Sequence, residues 1–307
     1  EDIYQPDIVH NCAWNVLGRI GTVEALNALA SHLITSWGST RRTILRTLLK
    51  LPHDAGIEAV GERLGRSGIE TLISQELMLI GHIYCALLDL PERRVSGREA
   101  DLLRRSLRYT QNDAQDRLFL LMRFLYPSSA VQAAAFNLFS GSPDNMARGL
   151  EILDNTIDLP SKRAVLSILD QRSDQDKLQS LSEIVTYEPL SPSDRLRQLL
   201  DLRYFLSEWA LACCFHLARK QQWRVTTDQA IACLRHPTGF VREAVLSYLY
   251  VASPRTLRRL LLQLDRDPNP LVDRQIREML SKLSPSTMRS PNSAGHFPGS
   301  MIHPLPN

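Results

Sequence analysis

Residues 234–249, LRHPTGFVREAVLSYL, contain the pattern that decides the fold. A polar turn comes first, and apolar residues at helical spacing follow it: Val241, Ala244, Val245, Leu246 and Leu249. One helix cannot bury such a face by itself, so a second helix must pack against it. Residues 265–280, DRDPNPLVDRQIREML, repeat the turn and the helix, with Val272 about one repeat after Val241. The two stretches therefore predict helical repeats that stack on one another.

Helical spacing of apolar residues continues through most of the chain, and the alternation typical of strands is nearly absent. Thr22 is a predicted N-cap, and Ser191 is another, with Pro192 at the first helical position. The same patterns predict separate helices at residues 98–109 and 113–126, and one at 205–218. Gly61, Gly65 and Gly68 do not follow a strand, so they are expected to let helices approach closely rather than to cradle phosphate.

The predicted fold is all-α, a right-handed α-solenoid of antiparallel helix pairs with a disordered C-terminal tail. The polar stretch 91–97, PERRVSG, is a predicted joint between N-terminal repeats in residues 1–90 and C-terminal repeats in residues 98–283. Residues 284–307 are rich in Pro, Ser, Gly and Asn without a periodic apolar face, which predicts disorder. Around residues 116–170 the pattern departs from the simple repeat.

Composition limits the classes of function that the chain can have. The 307 residues carry a net charge of only +3, which gives no reason to expect nucleic acid as a partner. Five scattered cysteines do not form a disulfide framework and favour a reducing compartment. No apolar run reaches the ~20 residues that cross a bilayer, and no secretory signal opens the chain. We therefore expect a cytoplasmic location, with the cytoplasmic face of a membrane as the alternative.

The first residue is Glu1 and not Met, so we expect the chain to be processed or to be cut from a longer polypeptide.

Candidate chemical groups are few, and each has a structural interpretation that is preferred. Cys213, Cys214 and His216 lie within an apolar helical pattern, where buried thiols are expected rather than a zinc site. His82 and Cys85 share a helical face, but no second pair of ligands accompanies them. Glu151 and Asp154 near a helix end, and four dispersed tryptophans, suggest neither a catalytic pair nor an aromatic platform. We predict no catalytic, cofactor or metal site, and hence a chain that is not an enzyme.

Three arginine stripes with helical spacing are the candidate partner-binding residues. They are Arg41, Arg42 and Arg46; Arg104, Arg105 and Arg108; and Arg255, Arg258 and Arg259. The alternative is that a stripe is a solvated face whose arginines form ion pairs with a neighbouring repeat. For any single stripe we favour this alternative. Arg242 is expected to pair with an acidic side chain of the next repeat.

The segments VREAVLSYL and LVDRQIREML resemble HEAT-type repeats, in which a turn with aspartate or proline precedes a V-R-x-x-A helix. LGRIGTVEALNAL, from Leu17, resembles the join between two such repeats. The resemblance covers most of residues 7–283 and implies HEAT-like pairs, whose concave face binds a protein partner.

Residues 116–170 show a narrower resemblance, to the soluble helical-repeat region of bacterial transporter-like proteins related to ATP/ADP carriers and to the major facilitator class. It rests on Arg117, Phe119, Leu120, Leu125, Tyr126, Ala147, Glu151, Leu153, Asp154, Asn155 and Arg163. The resemblance implies a regulatory or interaction domain that works with a membrane transporter domain in the same polypeptide. Two alternatives stay open: an accessory protein of the helical-repeat bilin-lyase type, and a stand-alone scaffold in a large assembly.

Overall fold

The computed structural model of the chain describes residues 7–262 and 266–283, which form fifteen α-helices and no strand. The helices are α1 (Asp7–Ile20), α2 (Val23–Thr35), α3 (Gly38–Leu48), α4 (Ala55–Asp89), α5 (Arg98–Met122), α6 (Ser128–Leu138), α7 (Pro143–Thr156), α8 (Lys162–Leu169), α9 (Asp174–Ser180), α10 (Pro192–Asp201), α11 (Glu208–Gln221), α12 (Thr227–Leu234), α13 (Gly239–Ala252), α14 (Pro254–Leu261) and α15 (Pro270–Lys282). The prediction of an all-α fold is confirmed for this part of the chain.

Most helices belong to two rows. In the first row α1, α3, α5, α11, α13 and α15 pack one against the next. In the second row α2 packs on α4 and α4 packs on α10, while Gln229 of α12 donates a 2.9 Å hydrogen bond to the Arg197 carbonyl of α10. Helices of the two rows pair in sequence, as α4 with α5 and α10 with α11.

Helices α6 to α9 interrupt these rows as an excursion of the chain. They pack successively on one another, and α9 returns to pack on α4. Gly81 of α4 makes this return possible, because a Cβ at that position would lie 2.8 Å from Val185 Cγ2. After the excursion α10 continues the second row and α11 lies directly against α5. The irregular stretch 116–170 thus includes the end of α5 and most of the excursion.

The predicted packing between the helices that contain Val241 and Val272 is confirmed. Val241 of α13 and Val272 of α15 are both buried, and the two helices are in contact. Arg242 pairs with Asp267 at 2.6 Å and also donates to the carbonyl of Pro237 at 2.7 Å. One arginine therefore ties the turn before its own helix to the turn before the next one. Thr22 and Ser191 are N-caps as predicted, since their side chains accept bonds from Ala25 N and Asp194 N.

Three predictions about helix ends are wrong. The predicted helices at residues 98–109 and 113–126 belong to one helix, α5, because the residues between them are helical too; α5 ends at Met122. The Thr110 hydroxyl donates to the Ser106 carbonyl within it. Helix α11 begins at Glu208 and not at Phe205, because Ser207 caps it by accepting a bond from Ala210 N.

Gly65 does not serve helix approach, since nothing lies within 4 Å of the position of its Cβ, and the same holds for Gly61. Gly65 instead interrupts α4 with φ 63° and ψ 178°, a conformation that glycine adopts readily.

Residues 91–97 form a turn, and Arg104 donates to the carbonyls of Leu90 and Val95 at 3.0 and 2.9 Å. Helices α4 and α5 pack together on the two sides of this turn, and the hydrophobic core is continuous across it. The division into residues 1–90 and 98–283 stays a prediction. The predicted disordered tail, residues 284–307, lies outside the described residues.

The segment Pro52–Asp89 is long and apolar enough to cross a membrane by length and composition alone. The core helices of soluble proteins meet the same criteria, and 61% of its apolar window is buried against other helices. Glu76, within this segment, pairs with Arg41 and Arg117 of neighbouring helices.

Candidate functional site

A large groove of about 1220 Å³ lies along the first row of helices. The start of α3, the middle of α5, the turn between α10 and α11, the start of α11 and the end of α12 all contribute to it. We call it the central groove. It is lined by residues 37–40, by residues 203–209 and by Leu102, Arg105, Ser106, Tyr109, Thr110, Asp113, Arg117, Cys213, Ala232, Cys233, Arg235, His236 and Pro237. The contact between α5 and α11 that the excursion permits brings these segments together.

Aromatic side chains stand exposed in the central groove. Tyr109 is 74% exposed, Tyr204 68% and Trp209 65%. Trp209 stacks on Phe240 with ring centroids 4.5 Å apart, so one of its faces is held by α13. Trp37, which also lines the groove, meets Phe205 edge-on with ring centroids 4.2 Å apart. Exposed aromatic rings fixed from one side offer apolar contact area that loses little conformational entropy on binding.

Three arginines of the central groove have no ion pair in residues 7–262 and 266–283: Arg105, Arg203 and Arg235. The Arg203 guanidinium lies over the Tyr204 ring, 4.5 Å from its centroid, which orients it through a cation–π contact. The acidic side chains of the groove are already engaged. Asp113 pairs with Arg117 and Arg42, and Glu208 has a partner of its own. The groove therefore presents unpaired positive charge beside exposed aromatic rings.

A buried ionic network supports the α5 wall of the groove. Glu76 of α4 accepts from Arg41 of α3 and Arg117 of α5, each at 2.8 Å, and all three side chains are at most 2% exposed. Arg41 also donates to the Ser36 carbonyl at 2.8 Å and lies over the Trp37 ring at 4.2 Å. Burial lowers the pKa of Arg41, and Glu76 opposes that shift. The network fixes α3, α4 and α5 relative to one another and holds Trp37 in the wall.

The first arginine stripe of the sequence is not a continuous exposed face. Arg41 is fully buried, because its guanidinium neutralises Glu76 inside the helix stack. Arg42 pairs with Asp113 of α5, which makes it an inter-helix ion pair. Arg46 is exposed, and its binding to a partner stays a prediction.

The three arginines of the second stripe make different contacts. Arg104 closes the turn before α5, and Arg108 reaches Asp174 of α9 with a 3.0 Å contact between Nη1 and Oδ1. Arg105 alone lies in the central groove. In the third stripe Arg255, Arg258 and Arg259 are exposed on α14, outside the groove, and their role stays a prediction.

The cysteine and histidine candidates do not assemble into a metal site. Within the described residues no three His, Cys, Asp or Glu side chains are grouped as a metal ion requires. Cys213 and Cys233 line the central groove, but burial raises the pKa of Cys213 and raises that of Cys233 to about 11. Few of these thiols are ionised at neutral pH, so they are poor nucleophiles. Asp154 pairs with Lys162 on the excursion, away from the groove.

Sequence reasoning missed most of the groove. The four tryptophans looked dispersed, yet Trp37 and Trp209 line the same surface. A signal was available at Ser207, because recognising it as an N-cap places Tyr204 and Phe205 in a turn and Trp209 in the first turn of α11. Comparison of the chain with protein-family models, with curated proteins and with solved structures gives no match.

Proposed function

We propose that this chain is a non-enzymatic protein-interaction or regulatory domain, and that its central groove binds a segment of a partner protein. The observation that carries the proposal is the exposure of Tyr109, Tyr204 and Trp209 on one concave surface. Exposed apolar patches of this kind mark binding sites on soluble proteins, and tyrosine and tryptophan supply most of the binding energy in many interfaces.

The size of the groove favours a protein segment over a small ligand. Sites for small molecules occupy about 300–1,000 Å³ and enclose most of the ligand. The central groove has about 1220 Å³ and runs across four helices. The raised pKa of Cys213 and of Cys233 argues against thiol chemistry there. A binding role uses the aromatic rings and the arginines without requiring an activated group.

We further propose that the two rows of helices are a right-handed α-solenoid of HEAT-like antiparallel pairs. The regular succession α11, α13 and α15 supports this, as does the Arg242–Asp267 pair that joins one turn to the next. Solenoids of this class use their concave surface for long, extended partners. In this proposal the excursion α6–α9 is an insertion between two repeats.

The partner that we propose is a membrane transporter domain in the same polypeptide, at the cytoplasmic face of a membrane. The support is the resemblance of residues 116–170, which include the end of α5 and most of the excursion. A scaffold role in a soluble assembly is the alternative that uses the same groove.

Site-specific photo-crosslinking of the full-length protein in its own cells tests the proposal. A benzophenone amino acid replaces Tyr204 in the groove, and in the control it replaces Phe136, which is 79% exposed on α6 outside the groove. We expect a protein adduct at position 204 and none at 136. Absence of a protein adduct at 204 would overturn the proposal. An adduct with a membrane-spanning segment supports the transporter part, while adducts with soluble subunits alone overturn that part and favour the scaffold.

A further inference from the structure

Assuming that the central groove binds a protein segment, we propose that this segment is acidic. Its carboxylates pair with Arg105, Arg203 and Arg235, and its apolar or aromatic side chains lie against Tyr109, Tyr204 and Trp209. The inference rests on the proposed function and adds the chemistry of the partner.

The first step is that three arginines of the groove lack the carboxylate partner that other arginines in or near the groove have. Arg41, Arg42, Arg104, Arg108 and Arg117 each have a carboxylate partner within the described residues. Arg105, Arg203 and Arg235 have none there, although they share the same surface. An anionic ligand in the groove gains favourable Coulomb interactions with these unpaired cations.

The second step is the charge of the wall behind them. The cations Arg41, Arg42 and Arg117 are matched in number by the carboxylates of Glu76, Asp113 and Asp116. Arg117 lines the groove and is 1% exposed, yet its Nε has no hydrogen-bond partner among the described residues. That N–H is enclosed by protein, so a ligand in the groove meets the donors of Arg105, Arg203 and Arg235 instead. The α5 wall is therefore balanced in charge, and the positive charge of the groove comes from Arg105, Arg203 and Arg235.

The third step is that the arginines and the aromatic rings of the groove match the acidic and the aromatic side chains of such a segment. Guanidinium binds carboxylate through two parallel hydrogen bonds, which gives direction as well as attraction. The Arg203 guanidinium lies 4.5 Å from the centroid of the Tyr204 ring, and its Nη2 donates to Tyr204 Oη at 3.4 Å. The other N–H donors of Arg203 have no partner within the described residues and can bind a ligand. A segment with acidic and aromatic residues in alternation satisfies both the arginines and the exposed rings.

The groove suits an acidic protein segment better than a nucleic acid strand. Strand-binding grooves track the phosphate backbone with many cations, and bases stack on free ring faces. None of the described residues that line the central groove is a lysine, and Asp113 and Glu208 are among them. One face of Trp209 is occupied by Phe240, and Trp37 is in edge contact with Phe205.

Fluorescence anisotropy with synthetic probes tests the inference. The probes are short labelled peptides in which Asp or Glu alternates with Phe, Trp or Leu, matched peptides with Asn and Gln at the acidic positions, and an oligouridylate. We expect the acidic peptides to bind at low salt and to weaken as salt rises. The amide peptides should bind at least about tenfold more weakly.

Protein variants locate the contact. Arg105→Gln, Arg203→Gln and Arg235→Gln should each weaken binding of the acidic peptides by about five- to tenfold, the loss that follows removal of one charged hydrogen-bonding partner. Arg148→Gln and Arg219→Gln change exposed arginines outside the groove and should leave binding unchanged. Circular dichroism checks that every variant is folded.

Three results would overturn the inference: equal binding of acidic and amide peptides, binding of oligouridylate in preference to both, or no binding of any acidic peptide. Equal binding that is lost in Tyr109→Ala with Trp209→Ala would leave the protein-binding groove in place and remove only its acidic preference. Failure of the proposed function itself is seen separately, as the absence of a crosslink at position 204 in cells.

Discussion

Arg117 Nη2 lies 2.8 Å from Glu76 Oε2, and the two side chains are 1% and 2% exposed. This pair joins α5 to α4 inside the stack, and the other carboxylate oxygen of Glu76 receives Arg41 from α3. Buried ions are tolerated when their charges and hydrogen bonds are matched, as they are here for the carboxylate. The wall of the central groove is therefore held by a charge cluster beneath it as well as by apolar packing.

Glu76→Gln is expected to destabilise the protein strongly. The amide keeps the shape but leaves Arg41 and Arg117 buried without their common counter-ion, so the free energy of unfolding should fall by about 3–5 kcal/mol. Chemical denaturation followed by circular dichroism measures the change. Glu70→Gln is the matched control, because Glu70 pairs with the half-exposed Arg66 and should cost less than about 1 kcal/mol. Equal losses in the two variants would contradict the role of the cluster.

The parts of the fold that sequence predicts are those fixed by short stretches of chain. The turn and helix at residues 234–249 specify α13, the repeated pattern specifies α15, and Arg242 reaches Asp267 in the next turn. Each of these depends on helical periodicity, a cap or a neighbouring repeat, all of which lie within a few tens of residues.

The central groove depends on contacts that sequence patterns do not encode locally. Helices α5 and α11 become neighbours only because the chain leaves after α5 and returns through α9. Arg41 and Arg105 look alike in sequence, as members of basic helical stripes. One is buried against Glu76 and the other lines the groove, and position relative to distant helices decides which. A pattern of charges shows which residues share one face of a helix, but it does not show which other helix or ligand that face contacts.

Asp89→Asn should loosen the segment that leads the chain back from the excursion. Asp89 accepts from Tyr187 Oη at 2.9 Å, from Leu190 N at 3.2 Å and from Arg195 Nε at 2.7 Å. Without the carboxylate charge, Arg195 is left buried and unpaired, and local opening costs less free energy. Hydrogen exchange should accelerate in residues 187–195 of the variant more than in α13. Asp228→Asn, at an exposed position of α12, serves as the control and should leave exchange unchanged. Uniform acceleration throughout the chain would count against a local anchor.

Gly81→Val tests the close contact at which the excursion returns to α4. The new side chain would overlap Val185, whose Cγ2 lies 2.8 Å from the position of the added Cβ. Overpacking of this kind lowers the free energy of unfolding by about 1–3 kcal/mol. Gly61→Val, in the same helix, meets nothing within 4 Å and should stay within about 0.5 kcal/mol of the parent. Thermal and chemical unfolding of both variants measures the difference, and similar stabilities would show that α4 and residue 185 are not in close contact.

The half-buried His82 should make stability depend on pH below neutrality. Burial, and then the positive charge of Arg195, lower the pKa of His82 below its ordinary value of 6.5. As pH falls through that ordinary value, the unfolded chain binds a proton that the folded chain resists, so the free energy of unfolding decreases. The decrease ends once pH is below the pKa in the folded state, and above about pH 7 both states are neutral and the group contributes nothing. His82→Gln should reduce the loss of stability over this acidic window, measured by denaturation at several pH values. His53→Gln, at an exposed position, is the control and should keep the slope of the parent protein. An unchanged slope in His82→Gln would show that His82 takes up its proton equally well in the folded and unfolded states.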